Sequence, residues 1–316
     1  MTSSILLAIA VTPAFTDRLD PALAYFGPPS SVELTPEQAA GIRVLVTMGT
    51  LKTDAALMDR LPNLGLVCCY GTGYEGVDIA AAKAHGIMVT HSPAANASAV
   101  ADLAMALLLS ANRRIVMADK FLRDGRWGGN DAGRMPIVRG LTGRKIGVFG
   151  FGAIGRKIAD RCAAFDAEVA YHNRSRKTDV SYAFHETLQS LADWADILMI
   201  AARADASNRH AVNRDVLKAL GPEGIVVNIA RGSMIDEEAM VALLQSGELG
   251  SAGLDVYEHE PLVPDALKAI PHVVLAPHIG GGTFDSHEGM QALVAANVNA
   301  FLAGKPVLTP VPEMAG

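Results

Sequence analysis

Aromatic side chains make up only 5% of the 316 residues, and the three cysteines, Cys68, Cys69 and Cys162, include an adjacent pair. Neighbouring cysteines do not readily bridge to each other, so no disulfide framework is implied and a reducing, cytoplasmic setting is expected. Long apolar runs are also missing. Residues 4–11 are too few to span a bilayer and follow no basic segment, and residues 99–115 are interrupted by Asp102, Arg113 and Arg114. No membrane association is expected. Positive charge is not in surplus either: the formal charge is -6, which offers phosphate backbones no long-range attraction and argues against a nucleic-acid partner. HExxH, EF-hand and CxxC spacings are absent, so no metal is expected.

What the chain does have is small and aliphatic. Half of it is apolar, with Ala, Val, Leu and Gly dominant, a mixture suited to buried parallel strands under helices, hence an α/β protein. The length exceeds what one core usually organises, so two domains are expected. Apolar runs at 5–11, 42–48, 66–70 and 87–90 read as strands, alternating with helical patterns at 36–40, 54–60 and 78–85. That is a doubly wound unit. A helix over 98–117, capped by Ser98, links it to a second unit, and the Gly-rich stretch 125–143 with Trp127 and Pro136 reads as irregular. Further strands at 145–149, 168–172, 197–201, 225–228, 251–255 and 273–275 form a Rossmann-like βα series, in which the helix 237–245 stops at Gly247. A last helix over 286–302 precedes an extended tail containing Pro306 and Pro310.

The glycines of Gly150-Phe151-Gly152-Ala153-Ile154-Gly155 come directly after a strand and open a helical pattern. Glycine there permits a tight turn and close backbone approach to a pyrophosphate, while the helix N-terminus offers its N–H groups to the anion. An NAD enzyme usually places an acid at the end of the next strand, against the ribose 2′-hydroxyl. Here that end reads Asn173-Arg174-Ser175-Arg176, and Asp179 comes too late to replace the acid. Two arginines and a serine suit a 2′-phosphate, so NADPH is favoured, with NADH possible.

Three polar residues fall at strand ends of the second series: Arg231, Glu260 and His278. The carboxyl ends of parallel strands are where such sheets bind ligands. Reducing a keto acid requires a cation for its carboxylate and carbonyl oxygen, and an acid to protonate the developing alkoxide. Arg231 can supply the first and His278 the second, with Glu260 orienting His278 and stabilising the imidazolium.

The chain resembles the D-isomer-specific 2-hydroxyacid dehydrogenase family over nearly its whole length. The motifs are residues 70–78 (Tyr-Gly-Thr-Gly-Tyr-Glu-Gly-Val-Asp), Gly125-Arg126-Trp127, Gly150 to Gly155, Asn228-Ile229-Ala230-Arg231-Gly232, residues 253–261 and Pro277-His278-Ile279-Gly280. The resemblance implies Arg231 as the substrate-binding and polarising group, Glu260 as orienter, and His278 as acid in reduction and base in oxidation. It further implies that the backbone of Gly71, Thr72 and Gly73, with Leu51 close by, holds the substrate carboxylate. Asp255 would accept a hydrogen bond from the nicotinamide amide, with Ala230 and Gly280 along the same edge. It implies a flavodoxin-like substrate domain, residues 1–97 plus 286–316, interrupted by a Rossmann domain at 98–285, and a crevice closing on substrate. Relatives of this kind are commonly dimers through the cofactor domain, and the 125–143 arm is the expected contact.

The chain departs from the family's usual pattern at Gly281-Gly282, His287 and Ala201-Ala202-Arg203. Glu260 argues against a formate dehydrogenase, which resembles the pattern with Gln there, and the length leaves no room for the regulatory domain of a phosphoglycerate dehydrogenase. Glyoxylate and hydroxypyruvate are the favoured substrates. The alternatives are another 2-keto acid, such as 2-ketogluconate or a phenylpyruvate, and a dinucleotide-sensing protein without turnover.

Overall fold

Short apolar runs become parallel strands where helices can cover both faces, and the chain does this twice. The computed structural model describes residues 4–27, 33–127 and 134–315. They divide into two units, Met1–Asn96 with Gly281–Gly316, and Ala97–Gly280. The chain therefore enters the first unit, leaves it for the second, and returns.

The first unit holds β1 (Ser4–Leu7), β2 (Ala24–Phe26), β3 (Ile42–Met48), β4 (Leu66–Tyr70) and β5 (Met88–Thr90). They pair in parallel in the order β2-β1-β3-β4-β5, the flavodoxin-type arrangement. Alternate residues serve opposite faces. Leu6, Leu45 and Val67 pack with Met58 and Ile87 on one side, while Ile5, Val44, Val46 and Leu66 pack with Phe15, Val294 and Val298 on the other. The helix Phe284–Leu302, capped by Thr283, brings the returning chain across this sheet. Short helices begin on side-chain caps at Asp54 and Asp78, whose carboxylates accept from the backbone N–H of Leu57 and Ala81.

The second unit contains β6 (Lys145–Phe149), β7 (Glu168–His172), β8 (Ala183–Phe184), β9 (Ile197–Ile200), β10 (Ile225–Asn228), β11 (Ser251–Leu254) and β12 (Val274–Leu275). All pair in parallel, in the order β8-β7-β6-β9-β10-β11-β12. Strand order reverses between β6 and β9, and this switch point is where a Rossmann sheet opens a crevice. At the opposite ends of the same strands, Arg144 is buried to 2% exposure and laces the sheet together. Its guanidinium donates to the carbonyls of Asp196 and Glu223, which precede β9 and β10, and to Asn112 Oδ1.

The expected α/β architecture of two doubly wound sheets is the one observed. Some local features differ from expectation. The helix expected over 98–117 starts at Ala97, with Ser98 inside it rather than capping it, and stops at Arg113. Arg114 takes a left-handed φ of 53°, and a separate helix, Ile115–Arg123, comes next. The break leaves Asn112 buried against Arg144 and the Arg139 carbonyl. The edge strands β2 and β8 are too short to show any periodicity in sequence, and β1 ends at Leu7 rather than at residue 11. Part of the 125–143 arm, residues 128–133, lies outside the described residues.

All three cysteines are buried and free. Burial pushes the thiols of Cys68 and Cys162 up to about 12 and raises that of Cys69 as well. Because the thiolate is the reactive form, an aromatic disulfide reagent at mildly alkaline pH should label none of them in the native chain and all three after denaturation. Rapid labelling of the native protein would show that strand β4 and the helix Ala153–Ala163 open readily.

Candidate active site

Each of the three adjacent strands β10, β11 and β12 ends in a loop carrying one of the residues Arg231, Glu260 and His278. After β10 the chain turns at once: buried Asn228 accepts from the Ala230 N–H at 3.0 Å and donates to the Arg231 carbonyl at 2.9 Å. Arg231 is half-buried, and its Nη1 donates to the Ala230 carbonyl at 2.7 Å. The next residue must be glycine. A Cβ on Gly232 would lie 1.8 Å from the Tyr257 carbonyl carbon and 2.2 Å from the Glu258 nitrogen, so the Arg231 turn abuts the backbone leading to Glu260.

Glu260 is held through both oxygens. Oε1 accepts from the Tyr257 N–H at 3.1 Å, and Oε2 lies 2.7 Å from His278 Nδ1. With Nδ1 engaged by the carboxylate, Nε2 is the ring nitrogen left for a reactant. His278 is 38% exposed and Glu260 31% exposed at the side chain, so the pair is open to a ligand. The imidazole is placed by an unusual backbone: His278 adopts a left-handed φ of 54°, a conformation that costs a non-glycine residue about 1–3 kcal/mol.

Asp255 holds that conformation in place. Its Oδ1 accepts from the Ile279 N–H at 2.7 Å and its Oδ2 from the Gly280 N–H at 2.8 Å, while its own carbonyl accepts from the His278 N–H at 2.9 Å. Burial pushes the Asp255 carboxyl up, and the two backbone bonds oppose that rise. The family resemblance implies a nicotinamide amide as the partner of Asp255. The structure shows both its oxygens engaged by the His278 loop, which is a positioning task.

A second acid on the same loop, inside the 253–261 motif, has no role predicted from the sequence. Glu258 Oε1 lies 2.7 Å from His210 Nε2 and also pairs with Arg209, while the His210 N–H donates to the Ser233 carbonyl at 2.8 Å. This ties the loop after β9 to both the Arg231 turn and the Glu260 loop. Burial alone would push the Glu258 carboxyl up, but the bonds from His210 and Arg209 outweigh it and hold it below the ordinary range. Glu237 accepts from the Glu258 N–H at 3.3 Å, and burial raises its carboxyl.

The glycine turn after β6 has the shape a pyrophosphate needs. Gly150 has a φ of +93°, and a Cβ there would lie 2.3 Å from Ala202 N and Cα; a Cβ on Gly155 would lie 2.0 Å from the Gly150 carbonyl oxygen. Gly152, by contrast, faces open space, and it starts the helix Ala153–Ala163 with no side-chain cap. Closed behind and open in front, with helix N–H groups at its mouth, the turn fits a dinucleotide. Ala153 is exposed and Ile154 half-buried beside it.

At the end of β7, Asn173 Oδ1 accepts from the Phe151 N–H at 3.4 Å and its Nδ2 donates to the Ser175 carbonyl at 3.1 Å, so Asn173 braces this turn. Arg174, Ser175 and Arg176 are exposed. Asp179 pairs with Arg156 at 2.8 Å. Arg174 Nη1 lies 3.6 Å from Asp205 Oδ2, an acid on the loop after β9 that no local pattern marks.

In the first unit, the two loops expected to hold a carboxylate touch each other. A Cβ on Gly49 would lie 1.9 Å from the Gly73 carbonyl oxygen, and the Gly76 N–H donates to the Gly49 carbonyl at 2.6 Å. Gly71 has a φ of +120°, and the Thr72 hydroxyl donates to Asn96 Oδ1 at 3.1 Å. Leu51 is 39% exposed. Tyr70 Oη lies 3.0 Å from His287 Nδ1, so the unusual His287 joins the end of β4.

Residues 105–280 match the family model for the NAD-binding domain of D-isomer specific 2-hydroxyacid dehydrogenases. A hydroxyphenylpyruvate reductase from Plectranthus scutellarioides is 39% identical over 287 residues, 91% of each chain. A 2-ketogluconate reductase from Gluconobacter oxydans is 36% identical over 301 residues, 95% of this chain and 96% of the relative. Among solved structures, an NADPH-dependent glyoxylate/hydroxypyruvate reductase from Sinorhizobium meliloti, in complex with NADP and malonate, superposes with a TM-score of 0.90. It is 36% identical and covers 99% of this chain and 98% of its own.

The Glu258 cluster has a measurable signature. Glu258→Gln should be about 1–3 kcal/mol less stable than the wild type at neutral pH. The gap should close as the pH falls through the carboxylate range, because a carboxyl held low in the folded state contributes only while ionised. Chemical denaturation at neutral and acidic pH measures it, and a gap independent of pH would remove ion pairing as its source.

Proposed function

The chain belongs to the D-isomer specific 2-hydroxyacid dehydrogenase family, and within it we propose that the protein reduces a small 2-keto acid, glyoxylate or hydroxypyruvate first, to the D-2-hydroxy acid with NADPH. The observation that carries this reading is the 2.7 Å pair of Glu260 with His278 Nδ1, which leaves Nε2 of an exposed imidazole to meet a carbonyl oxygen.

A bound nicotinamide cofactor would supply the hydride to the carbonyl carbon. As that bond forms, the carbonyl electron pair moves onto oxygen, and His278 Nε2 delivers the proton that completes the hydroxyl. Glu260 holds the ring and balances the imidazolium. Arg231 binds the carboxylate and polarises the carbonyl, a task for which a planar guanidinium is suited. The backbone of Gly71, Thr72 and Gly73, with Leu51, is assigned the substrate carboxylate.

Gly150, Gly152, Ala153, Ile154 and Gly155 take the pyrophosphate; Arg174, Ser175 and Arg176, braced by Asn173, take the 2′-phosphate. Ala230 and Gly280 border the nicotinamide. Each Asp255 oxygen keeps a second lone pair beside its backbone bond, and that pair is assigned to the carboxamide. We place the working protein in the cytoplasm as a homodimer, supported by its buried free thiols and by exposed Ile115, Val116, Leu122 and Trp127 on and after the helix Ile115–Arg123.

His278→Ala should lower keto-acid reduction by about 100- to 10,000-fold, with cofactor binding retained. The assay is oxidation of NADPH, and separately of NADH, against glyoxylate, hydroxypyruvate, hydroxyphenylpyruvate and 2-ketogluconate. Unchanged turnover in the variant would overturn the assignment of His278, and a strong NADH preference would overturn that of Arg174 to Arg176.

A further inference from the structure

No acid ends β7, but one from another part of the same unit pairs with the arginine that stands there. Asp205 stands in the loop after β9, 3.6 Å from Arg174 Nη1. Arg174 is 82% exposed at the side chain and Asp205 34%, so the arginine is the looser partner.

The loop bearing the acid is fastened by its own side chains. Asp205 Oδ1 accepts from the Ser207 N–H at 2.9 Å and from the Ser207 hydroxyl at 2.5 Å. Asn208 Oδ1 accepts from the Asp205 N–H at 2.8 Å, and Asn208 Nδ2 donates to the Arg203 carbonyl at 2.8 Å. The bonds from Ser207, with smaller contributions from Arg174 and Arg203, hold the Asp205 carboxyl below the ordinary range, so it is charged at neutral pH. The same loop begins at the Ala202 backbone that closes the back of the Gly150 turn. A fixed negative charge therefore stands on the loop next to the pyrophosphate turn, engaging the arginine that would otherwise be available to a phosphate.

We propose that Asp205 is a specificity-determining residue that competes with the 2′-phosphate for Arg174, narrowing the preference for NADPH and admitting NADH. This rests on the reading of Arg174 as the 2′-phosphate partner. NADH asks nothing of Arg174 and leaves the ion pair intact. NADPH must draw the guanidinium away from Asp205, and its doubly charged phosphate meets the repulsion of the carboxylate as well.

Direct binding to the full chain tests this without turnover. Calorimetric titration with NADPH, NADH and 2′,5′-ADP would be run on the wild type, Asp205→Asn, Arg174→Ala and the double variant. Asparagine keeps the Oδ1 that caps Ser207, and Asp205→Ser is a second capping variant should the first fold poorly. For exposed charges of this kind, removing the acid should tighten NADPH and 2′,5′-ADP by about three- to tenfold, leave NADH within about twofold, and do little in the Arg174→Ala background. If Arg174→Ala weakens NADPH while both Asp205 variants leave NADPH and 2′,5′-ADP unchanged, the role of Asp205 is refuted and the reading of Arg174 stands. If Arg174→Ala leaves NADPH binding unchanged, the reading of Arg174 fails and the competition falls with it.

Discussion

The Asp255 carboxylate accepts the N–H groups of Ile279 and Gly280, and the geometry at the end of β12 is hung on that pair of bonds. His278 occupies a left-handed conformation that a side chain disfavours. Released from Asp255, it would relax toward an ordinary backbone and its ring would leave Glu260. The fastening extends outward through backbone. The Asp255 N–H donates to the Asn228 carbonyl, Asn228 closes the Arg231 turn, and Gly232 lets that turn lie against Tyr257 and Glu258. Arginine, glutamate and histidine come from loops after three strands, yet one continuous set of side-chain and main-chain bonds to the backbone sets their positions.

What an acid does in this unit is decided by what it meets. Asp255 is buried among backbone donors and acts as a fastener; Glu260 is partly exposed beside an imidazole and orients it. Glu258, nearly enclosed, is held ionised by Arg209 and His210 and joins two loops, while Glu237 behind it is pushed the other way by burial. Four carboxylates near the same sheet end are thus set apart by their surroundings alone.

The parts of this arrangement that sequence makes legible are those in which geometry demands a residue type. Gly150 and Gly155 stand where a Cβ would meet backbone at 2.3 and 2.0 Å, so glycine at that spacing after an apolar run is informative. Arg231, Glu260 and His278 are readable because charge at the end of a buried strand is conspicuous. Asn228, in the last position of β10 and fully buried, carries the same signal, although in sequence it stands out only as part of a motif. Asp205 and Glu258 are not legible in this way, because each meets its arginine across loops far apart in sequence, where no period or spacing records the encounter. The break at Arg114 is hidden too: Ile115 and Val116 resume the apolar pattern directly after the arginines, and a left-handed residue leaves no compositional trace when it is not glycine.

Arg144 stands at the other end of β6 from Gly150, and its buried guanidinium joins the starts of β6, β9 and β10 to the helix Ala97–Arg113. This tie sits at one end of the strands, while the Gly150 turn and the loops bearing Arg231, Glu260 and His278 leave from the far ends of the sheet. A substitution in those loops lies a full strand length away from the buried bonds that Arg144 makes to Asn112, Asp196 and Glu223, and so can alter what the loops meet without loosening that tie.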